Sequence, residues 1–385
     1  MKITIDRKSL VSALTTVKSV AKAKSELPIL ANVAIGTYEK SVDFTCTNMD
    51  QTIRFKADAV ITGKGATAKD FTVRVNLFHD LVRSFTGENV DIETGKNSID
   101  IRCGISKYHL GTLDIEEFPS TPRVSPTAEF KITQAFLRTL LTTTAYCAQT
   151  ADDGRPLLCG SLFRVNGNLT AVGCDGRRLA IMSVPLDEKV KPMDVIVPRD
   201  TVTELLRLLE NDEDKKLTMA IGEKNVQFQF GETTVISKII DGKYPDYTKI
   251  IPKLEGDGVP VGRADLLNAL RRVNFIDDKC SLEFRAMTLT VSAVSESKDV
   301  PGDAQESLLI PKSPEMTARF CTPYLIEALS CVDDDEVLFF GKTEGPGVFK
   351  VASKSWLSLT APLLKKSESK PADKPAAKAP EPAKK

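Results

Sequence analysis

One pattern of residues occurs three times along this chain, and the repetition limits the folds open to it. Met1-Lys-Ile-Thr-Ile5, Glu129-Phe-Lys-Ile132 and Val259-Pro-Val261 each read as a short strand, followed at the same distance by a helical run. Ile3, Ile5, Leu10, Ala13 and Leu14 recur as Phe130, Ile132, Leu137, Leu140 and Leu141, and again as Val259, Val261, Leu266, Ala269 and Leu270. The step from Ile3 to Phe130 is nearly the same as that from Phe130 to Val259, about a third of the chain each time. Solenoid repeats run to roughly 20–50 residues, so a period this long is that of a whole domain. The second halves answer one another too. Asp80-Leu-Val-Arg-Ser-Phe85 matches Glu204-Leu-Leu-Arg-Leu-Leu209 at a similar step, and Leu325-Ile-Glu-Ala-Leu329 matches both less closely. Each unit closes before a proline, at Phe118-Pro119, Tyr244-Pro245 and Ala361-Pro362. One fold used three times is the expectation; the competing reading is a row of ordinary α+β domains with similar patterning.

Within the units, Val226-Gln-Phe-Gln-Phe230 alternates apolar residues with glutamines, the period of a strand. Ser98-Ile-Asp-Ile-Arg102 and Leu282-Glu-Phe284 do the same less cleanly, and Asn166-Gly167-Asn168 reads as a hairpin turn. Asp241-Gly242-Lys243 is a further turn candidate. Helices are few and short, so the pattern is repeated α+β with antiparallel sheets. Pro, Ser, Thr and Gly cluster at 119–127 and 254–258, which sets the expected domains at 1–127, 128–256 and 257–365. Residues 366–385 are rich in Lys, Pro and Ala, hold nothing apolar larger than Ala or Pro, and are expected to be a disordered tail.

At 385 residues the chain is long for one core. It starts without an apolar leader, and no apolar run approaches the roughly 20 residues of a membrane span, so the expected location is the cytoplasm. The eight cysteines are scattered and none forms Cys-x-x-Cys, which fits buried free thiols. Basic and acidic residues balance at 52 each, which argues against indiscriminate nucleic-acid binding but permits a local basic face. The first helical runs carry such a bias: Arg7, Lys8, Lys18, Lys22 and Lys24 in the first unit, Arg138 in the second, Arg263, Arg271 and Arg272 in the third. Solvated helix faces often hold such residues; three corresponding helices sharing the bias point to a common polyanion-facing surface.

Chemistry is hard to find. Two histidines, His79 and His109, give no favoured nucleophilic triad. Zinc-type spacing and a P-loop are absent, and no cofactor is expected. Asp152-Asp153 and Asp333-Asp-Asp335 read as loop residues before they read as cation ligands. Asp175, in Gly173-Cys-Asp-Gly176, reads as a turn residue before a catalytic one.

Leu27-Pro-Ile-Leu-Ala-Asn32, Thr45-Cys-Thr-Asn-Met-Asp50, Gly173-Cys-Asp-Gly-Arg-Arg-Leu-Ala180 and Asp241-Gly-Lys-Tyr-Pro-Asp-Tyr247 through Ile251-Pro252 resemble segments of the bacterial DNA polymerase III β subunit, the sliding-clamp family. The resemblance covers residues 1 to 364. It implies three tandem clamp domains with antiparallel sheets outside and two helices per domain inside. Two chains would close head to tail as a homodimeric ring. The ring would encircle duplex DNA without reading sequence, and would tether the replicative polymerase, the clamp loader, repair polymerases and other proteins with clamp-binding peptides. No bond is made or broken, so the chain is not expected to be an enzyme.

Carried across by position, the resemblance makes Lys24 and Arg155 DNA contacts, and the helix reading adds Lys18, Lys22, Arg138, Arg199, Arg207, Arg271 and Arg272. It places a partner-peptide groove between the second and third domains. Leu158, Cys174, Gly176, Arg177, Arg178 and Leu179 match one pocket, Pro245, Lys249 and Ile250 its wall, and Tyr324, Pro362 and Leu363 the far side. Tyr108 and Leu110 match one ring-closing edge, and Phe275 and Ile276 the other.

The chain departs from the family at Cys174 (usually Thr), Arg177 (usually His) and Lys249 (usually Arg), and in its ending, Ala361-Pro-Leu-Leu-Lys365. That ending bears on partner preference, and the tail after it is expected to emerge beside the groove and modulate access. Two other readings compete. One is an adaptor that keeps the fold and groove without encircling DNA; the other is a hydrolase built on Asp175 or Cys174.

Overall fold

The computed structural model describes residues 1–22, 26–62, 70–295, 301–312 and 314–363, so Lys24 and the 366–385 tail lie outside the described residues. The first unit runs β1 (Lys2–Asp6), α1 (Arg7–Val17), β2 (Asn32–Thr37), β3 (Ser41–Thr47), β4 (Gln51–Asp58), β5 (Val60–Thr62), β6 (Phe71–Arg74), α2 (Val75–Ser84), β7 (Asn89–Thr94), β8 (Ser98–Cys103) and β9 (Ser106–Gly111). The second runs β10 (Ala128–Thr133), α3 (Gln134–Thr144), β11 (Gly160–Val165), β12 (Asn168–Cys174), β13 (Arg178–Pro185), β14 (Met193–Pro198), α4 (Arg199–Leu208), β15 (Lys216–Ile221), β16 (Asn225–Phe230) and β17 (Thr233–Lys238). The third runs β18 (Val259–Gly262), α5 (Arg263–Val273), β19 (Lys279–Arg285), β20 (Thr288–Val294), β21 (Asp303–Leu309), β22 (Met316–Cys321), α6 (Thr322–Ser330), β23 (Glu336–Phe340), β24 (Gly347–Lys350) and β25 (Trp356–Thr360). Apart from the short β5, the order is the same in all three.

The repeated apolar positions explain the repeated helices. Leu10, Ala13 and Leu14, their counterparts Leu137, Leu140 and Leu141, and Leu266, Ala269 and Leu270 are all buried. That i, i+3, i+4 spacing puts each trio on one face of its helix, and each buried leucine contributes about 1.5–3 kcal/mol. The helix starts repeat a device that residue matching does not show. Arg7 Nε donates to Gly87 O at 2.9 Å, Arg263 Nε to Asp334 O at 2.7 Å, and Gln134 Oε1 accepts from Glu210 N at 3.0 Å. In each unit the first residue of the first helix is tied to the chain leaving the second helix. Asp6 and Thr133 cap α1 and α3 by accepting from Ser9 N and Phe136 N; Gly262 leaves α5 without a side-chain cap.

The sheets do not stop at the units. Two of them have eight strands, in the orders β10-β15-β16-β17-β4-β3-β2-β6 and β14-β11-β12-β13-β25-β24-β23-β18. In both, the third strand after one unit's first helix pairs antiparallel with the last strand of the next unit: β4 with β17, then β13 with β25. The same two positions at the chain's ends, β21 and β9, are sheet edges in the four- and five-stranded sheets that remain. Their side chains are open, with Leu309 92% and Tyr108 44% exposed.

Candidate functional site

The β13–β25 junction carries the most elaborate side-chain arrangement in the molecule. The turn between β12 and β13 needs a left-handed residue, and Gly176 supplies it with φ +86°. Asp175 Oδ1 accepts from the backbone N–H of Arg177 (2.8 Å) and Arg178 (2.9 Å), which locks the turn. The carboxylate is fully used there, so Asp175 is a structural residue of this turn. Arg178 leaves it half-buried: its Nε donates to Asp175 Oδ2 at 3.0 Å and its Nη1 to Glu327 of α6. The guanidinium lies 4.3 Å from the Tyr324 ring and 5.5 Å from that of Tyr146. Burial alone would lower its pKa, but its negative partners, Glu327 and Asp175 among them, overcome burial and raise it. Arg178 is therefore a permanent cation that fastens the second unit to the third.

Beside it, Leu158, Cys174 and Leu179 belong to a second apolar cluster, separate from the main core, with Leu162, Val172, Ile196, Tyr244, Val348 and Leu359. Burial pushes the Cys174 thiol up, which keeps it protonated and apolar rather than nucleophilic. Over this floor, Pro245 and Lys249 are exposed and Ile250 is 49% exposed, with Lys249 Nζ 3.4 Å from Asp246. Ala361 N donates to Arg177 O at 2.8 Å and Leu363 N to Arg319 O at 2.7 Å, so Pro362 and Leu363 form the opposite wall, half-buried. Arg177 is exposed and makes no ion pair among the described residues. The result is an apolar floor with basic and proline-bearing walls, suited to an extended apolar peptide. A cavity of 560 Å³ lies further along the linker, lined by Leu254, Val259, Met316, Phe339 and Phe340 among others, and includes none of the groove residues named from sequence.

The cations proposed for DNA fare differently. Arg138 Nη1 donates to the carbonyls of Leu206 (2.6 Å) and Leu209 (2.9 Å), closing the end of α4. Arg199 Nη1 donates to Ala148 O at 2.6 Å. Arg207 pairs with Glu204 and reaches Thr16 O at 2.8 Å and Ser19 Oγ at 2.7 Å, bridging the first two units. Arg272 is held by both oxygens of Glu306, at 2.7 and 2.9 Å, and exposed Arg155 pairs with Asp153 at 2.7 Å. Lys18 Nζ sits 3.2 Å from His79 Nδ1. Lys22 and Arg271 are exposed and without an ion-pair partner among the described residues. At the edges, Phe275 is 88% exposed, and Leu110 and Ile276 are half-buried against the core.

Sequence reading missed Tyr146, Glu327 and Trp356. Trp356 Nε1 donates to Thr143 O at 3.1 Å across the same junction. Nothing local marks Glu327 as the partner of a residue 149 positions away. Among the described residues no helix is long and apolar enough to cross a membrane, and no cluster of three or more His, Cys, Asp or Glu residues could hold a metal.

Comparison with known proteins places this arrangement. Residues 1–122 match the DNA polymerase III beta subunit N-terminal domain, and 131–246 its central domain. The beta sliding clamp of Pseudomonas aeruginosa is 29% identical over 350 residues, covering 88% of this chain and 92% of that protein. That of Escherichia coli K12 is 28% identical over 345 residues, with the same coverage. The crystal structure of the Pseudomonas aeruginosa DNA polymerase III subunit beta superposes with a TM-score of 0.87 at 25% identity, over 94% of this chain and all of that one. A structure of the same protein bound to griselimycin gives 0.87 over 95%. The chain belongs to the bacterial DNA polymerase III beta subunit family, the beta sliding clamps.

Proposed function

We propose that this chain is a DNA sliding clamp: a ring of two copies that encircles duplex DNA and tethers the replicative polymerase, clamp loader and repair proteins. The observation that carries the reading is the strand rule at the junctions. β4 joins β17 and β13 joins β25; extending the rule joins β21 of one copy to β9 of another. Two copies then close a six-domain circle by two equivalent contacts, each between unlike edges. Tyr108 and Leu110 on one edge and Phe275 and Ile276 on the other supply its apolar anchors. The domains are 1–127, 128–256 and 257–365.

DNA inside such a ring needs few phosphate contacts. Each neutralised phosphate adds salt-dependent affinity that would oppose sliding, and this agrees with the internal pairing of Arg138, Arg199, Arg207 and Arg272. Lys18, Lys22, Arg271 and the Arg155 loop are the proposed contacts. Partner peptides dock in the groove over Leu158, Cys174 and Leu179, between Pro245–Ile250 and Tyr324, Pro362 and Leu363. The chain works without catalysis, in the cytoplasm.

Light scattering across a dilution series tests ring closure. A single chain weighs 42.1 kDa, and the ring weighs twice that. The expected result is the doubled mass persisting on dilution, with retention on nicked circular DNA and release after linearisation. Phe275→Asp is expected to shift the mass to the single chain and abolish retention. A single-chain species that is never retained would overturn the ring in favour of a non-encircling adaptor.

A further inference from the structure

We infer that the junction between the first two units holds a binding site for an arginine side chain of a partner protein, in a cavity shaped by a missing arginine of its own. The register of the two units defines it. β2 pairs with β6 so that Asn32 meets Arg74, and β11 pairs with β14 so that Gly160 meets Pro198. Arg74 and Pro198 each immediately precede their helix. Counting along the strands, Gly36 takes the place of Arg164, Asp70 that of Asp194, and Asp43 that of Thr170. In the second unit Arg164 grips Asp194 with Nε and Nη2 at 3.0 and 2.9 Å, donates to Tyr247 Oη at 3.0 Å, and lies 5.3 Å from the Tyr247 ring. In the first unit Asp70 keeps the place of Asp194 while Gly36 brings no cation to it, and the one arginine lining the space, Arg54 on the neighbouring strand, leans towards Asp43 instead.

That space is a cavity of 250 Å³, lined by Gly36, Asp43, Asp70, Phe118 and Thr121 among others. Counted from Phe118-Pro119 as Tyr247 is from Tyr244-Pro245, Thr121 takes the place of Tyr247 in the sequence. Asp70 accepts one bond, from Thr37 N at 3.2 Å, and has no cation within ion-pair distance among the described residues. Asp43 is only 9% exposed, and its Oδ1 is buried without a hydrogen-bond partner. Two basic residues face it from β4: Arg54 approaches Oδ2 alone, at 3.8 Å, and Lys56 is its neighbour in register. Tyr38, which also lines the cavity, offers its hydroxyl to the same carboxylate, and Asp70 is its other titratable neighbour. A buried carboxylate oxygen left unsatisfied is costly. A guanidinium entering beside Gly36 meets Asp70 and Asp43 together, with its stem against Phe118. Its planar fork of donors suits two carboxylates better than an ammonium does. The occupant is committed to a polypeptide because the cavity lies under the linker at Phe118-Pro119, as the apolar groove lies under Tyr244-Pro245. The site rests on the shared register and its polypeptide occupant on the peptide groove proposed above; neither depends on whether the ring closes.

Ligand-observed NMR of the intact protein with N-acetyl-arginine methylamide tests it, with the matching lysine and norleucine amides alongside. Arginine is expected to bind best, Asp43→Asn to weaken it about tenfold or more, and Gly36→Arg to abolish it by filling the site. At Gly36 the atoms nearest an added Cβ are those of the Asp70 carboxylate, at 3.7–3.8 Å, so a side chain can start there at ordinary contact distance. Gly36→Arg is also expected to raise Tm at neutral pH, and to raise it less in an Asp43→Asn background. Equal binding of arginine and norleucine amides, binding unchanged in Asp43→Asn, or a Tm lowered by Gly36→Arg would overturn the proposal.

Discussion

The two junctions inside this chain share a backbone and differ in nearly everything laid over it. Both are antiparallel pairings of equivalent strands under a linker ending in an aromatic residue and proline. At β13–β25 the outer face carries Leu162, Val172 and Ile181 beneath Tyr244 and Tyr247, packed as one apolar cluster. At β4–β17 the same positions hold Ala34, Thr45 and Arg54, with Gly36 and Asp43 beside them, and cavities remain. The braces differ as well. Trp356 to Thr143 and Tyr146 to Ser358 (2.8 Å) lock the second and third units with buried or half-buried groups, and half-buried Arg178 adds a tie to exposed Glu327. Arg207 to Thr16 and Ser19, and Lys238 to Asp50 (3.1 Å), lock the first and second with exposed ones. Strand pairing is enough to build a junction; the side chains on its outer face decide what it binds and how firmly it is held.

Removing Trp356 should break the stronger junction most. It is the largest fully buried side chain, and Trp356→Ala leaves both a void and an unpaired Thr143 carbonyl. The expected loss is about 3–5 kcal/mol, read as a lowered Tm and as faster amide exchange in β13 and β25, with β4 and β17 unchanged. Equal acceleration at both junctions would show that they are one cooperative unit.

Arg178→Ala should cost less, about 2 kcal/mol, because Asp175 is mostly buried while Glu327 is half-exposed and can turn to water. Its larger effect is on the groove, where the Asp175–Arg178 turn forms one wall. Binding of a clamp-binding peptide, measured by fluorescence anisotropy, is expected to weaken at least about tenfold. Arg178→Lys should restore part of the stability and little of the binding, since the fork is lost.

The smallest effect sharpens the weaker junction. Burial raises the Asp43 pKa above the ordinary carboxylate value of 3.8. The folded protein then holds that proton more tightly than the unfolded chain does. Stability therefore falls as pH climbs from 3.8 through the folded value, and it stays lowered above it. Asp43→Asn is expected to stabilise the empty protein at neutral pH by about 1 kcal/mol or less, with the gain fading below pH 3.8. Thermal melts at pH 3 and pH 7 decide it: a destabilised variant at pH 7 would mean that the carboxylate is already paired.

Much of the architecture was legible in the residues. Val226–Phe230 and Ser98–Arg102 alternate and are strands; Asn166-Gly167-Asn168 is the β11–β12 turn; the three trios of leucine and alanine lie buried where their spacing puts them. The proposed groove could be named only through family resemblance, because Leu158, Cys174 and Leu179 look like any core residues in sequence. The basic helix faces left one thing unread: Arg138 and Arg199 also bind carbonyls of their own unit, which no count of charges reveals. A long side chain's destination depends on groups far along the chain, and local pattern carries no record of them.

The sequence by itself determined the repeat, the faces of its helices and strands, and the Asp-Gly turn, because those depend on periodicity and on backbone geometry a few residues long. Only the tertiary structure decided that sheets run through two domains, that Arg178 and Glu327 meet, and that Gly36 stands where Arg164 would be. Each of those is a matter of register between strands distant in sequence, and register is set by the packing of the whole face.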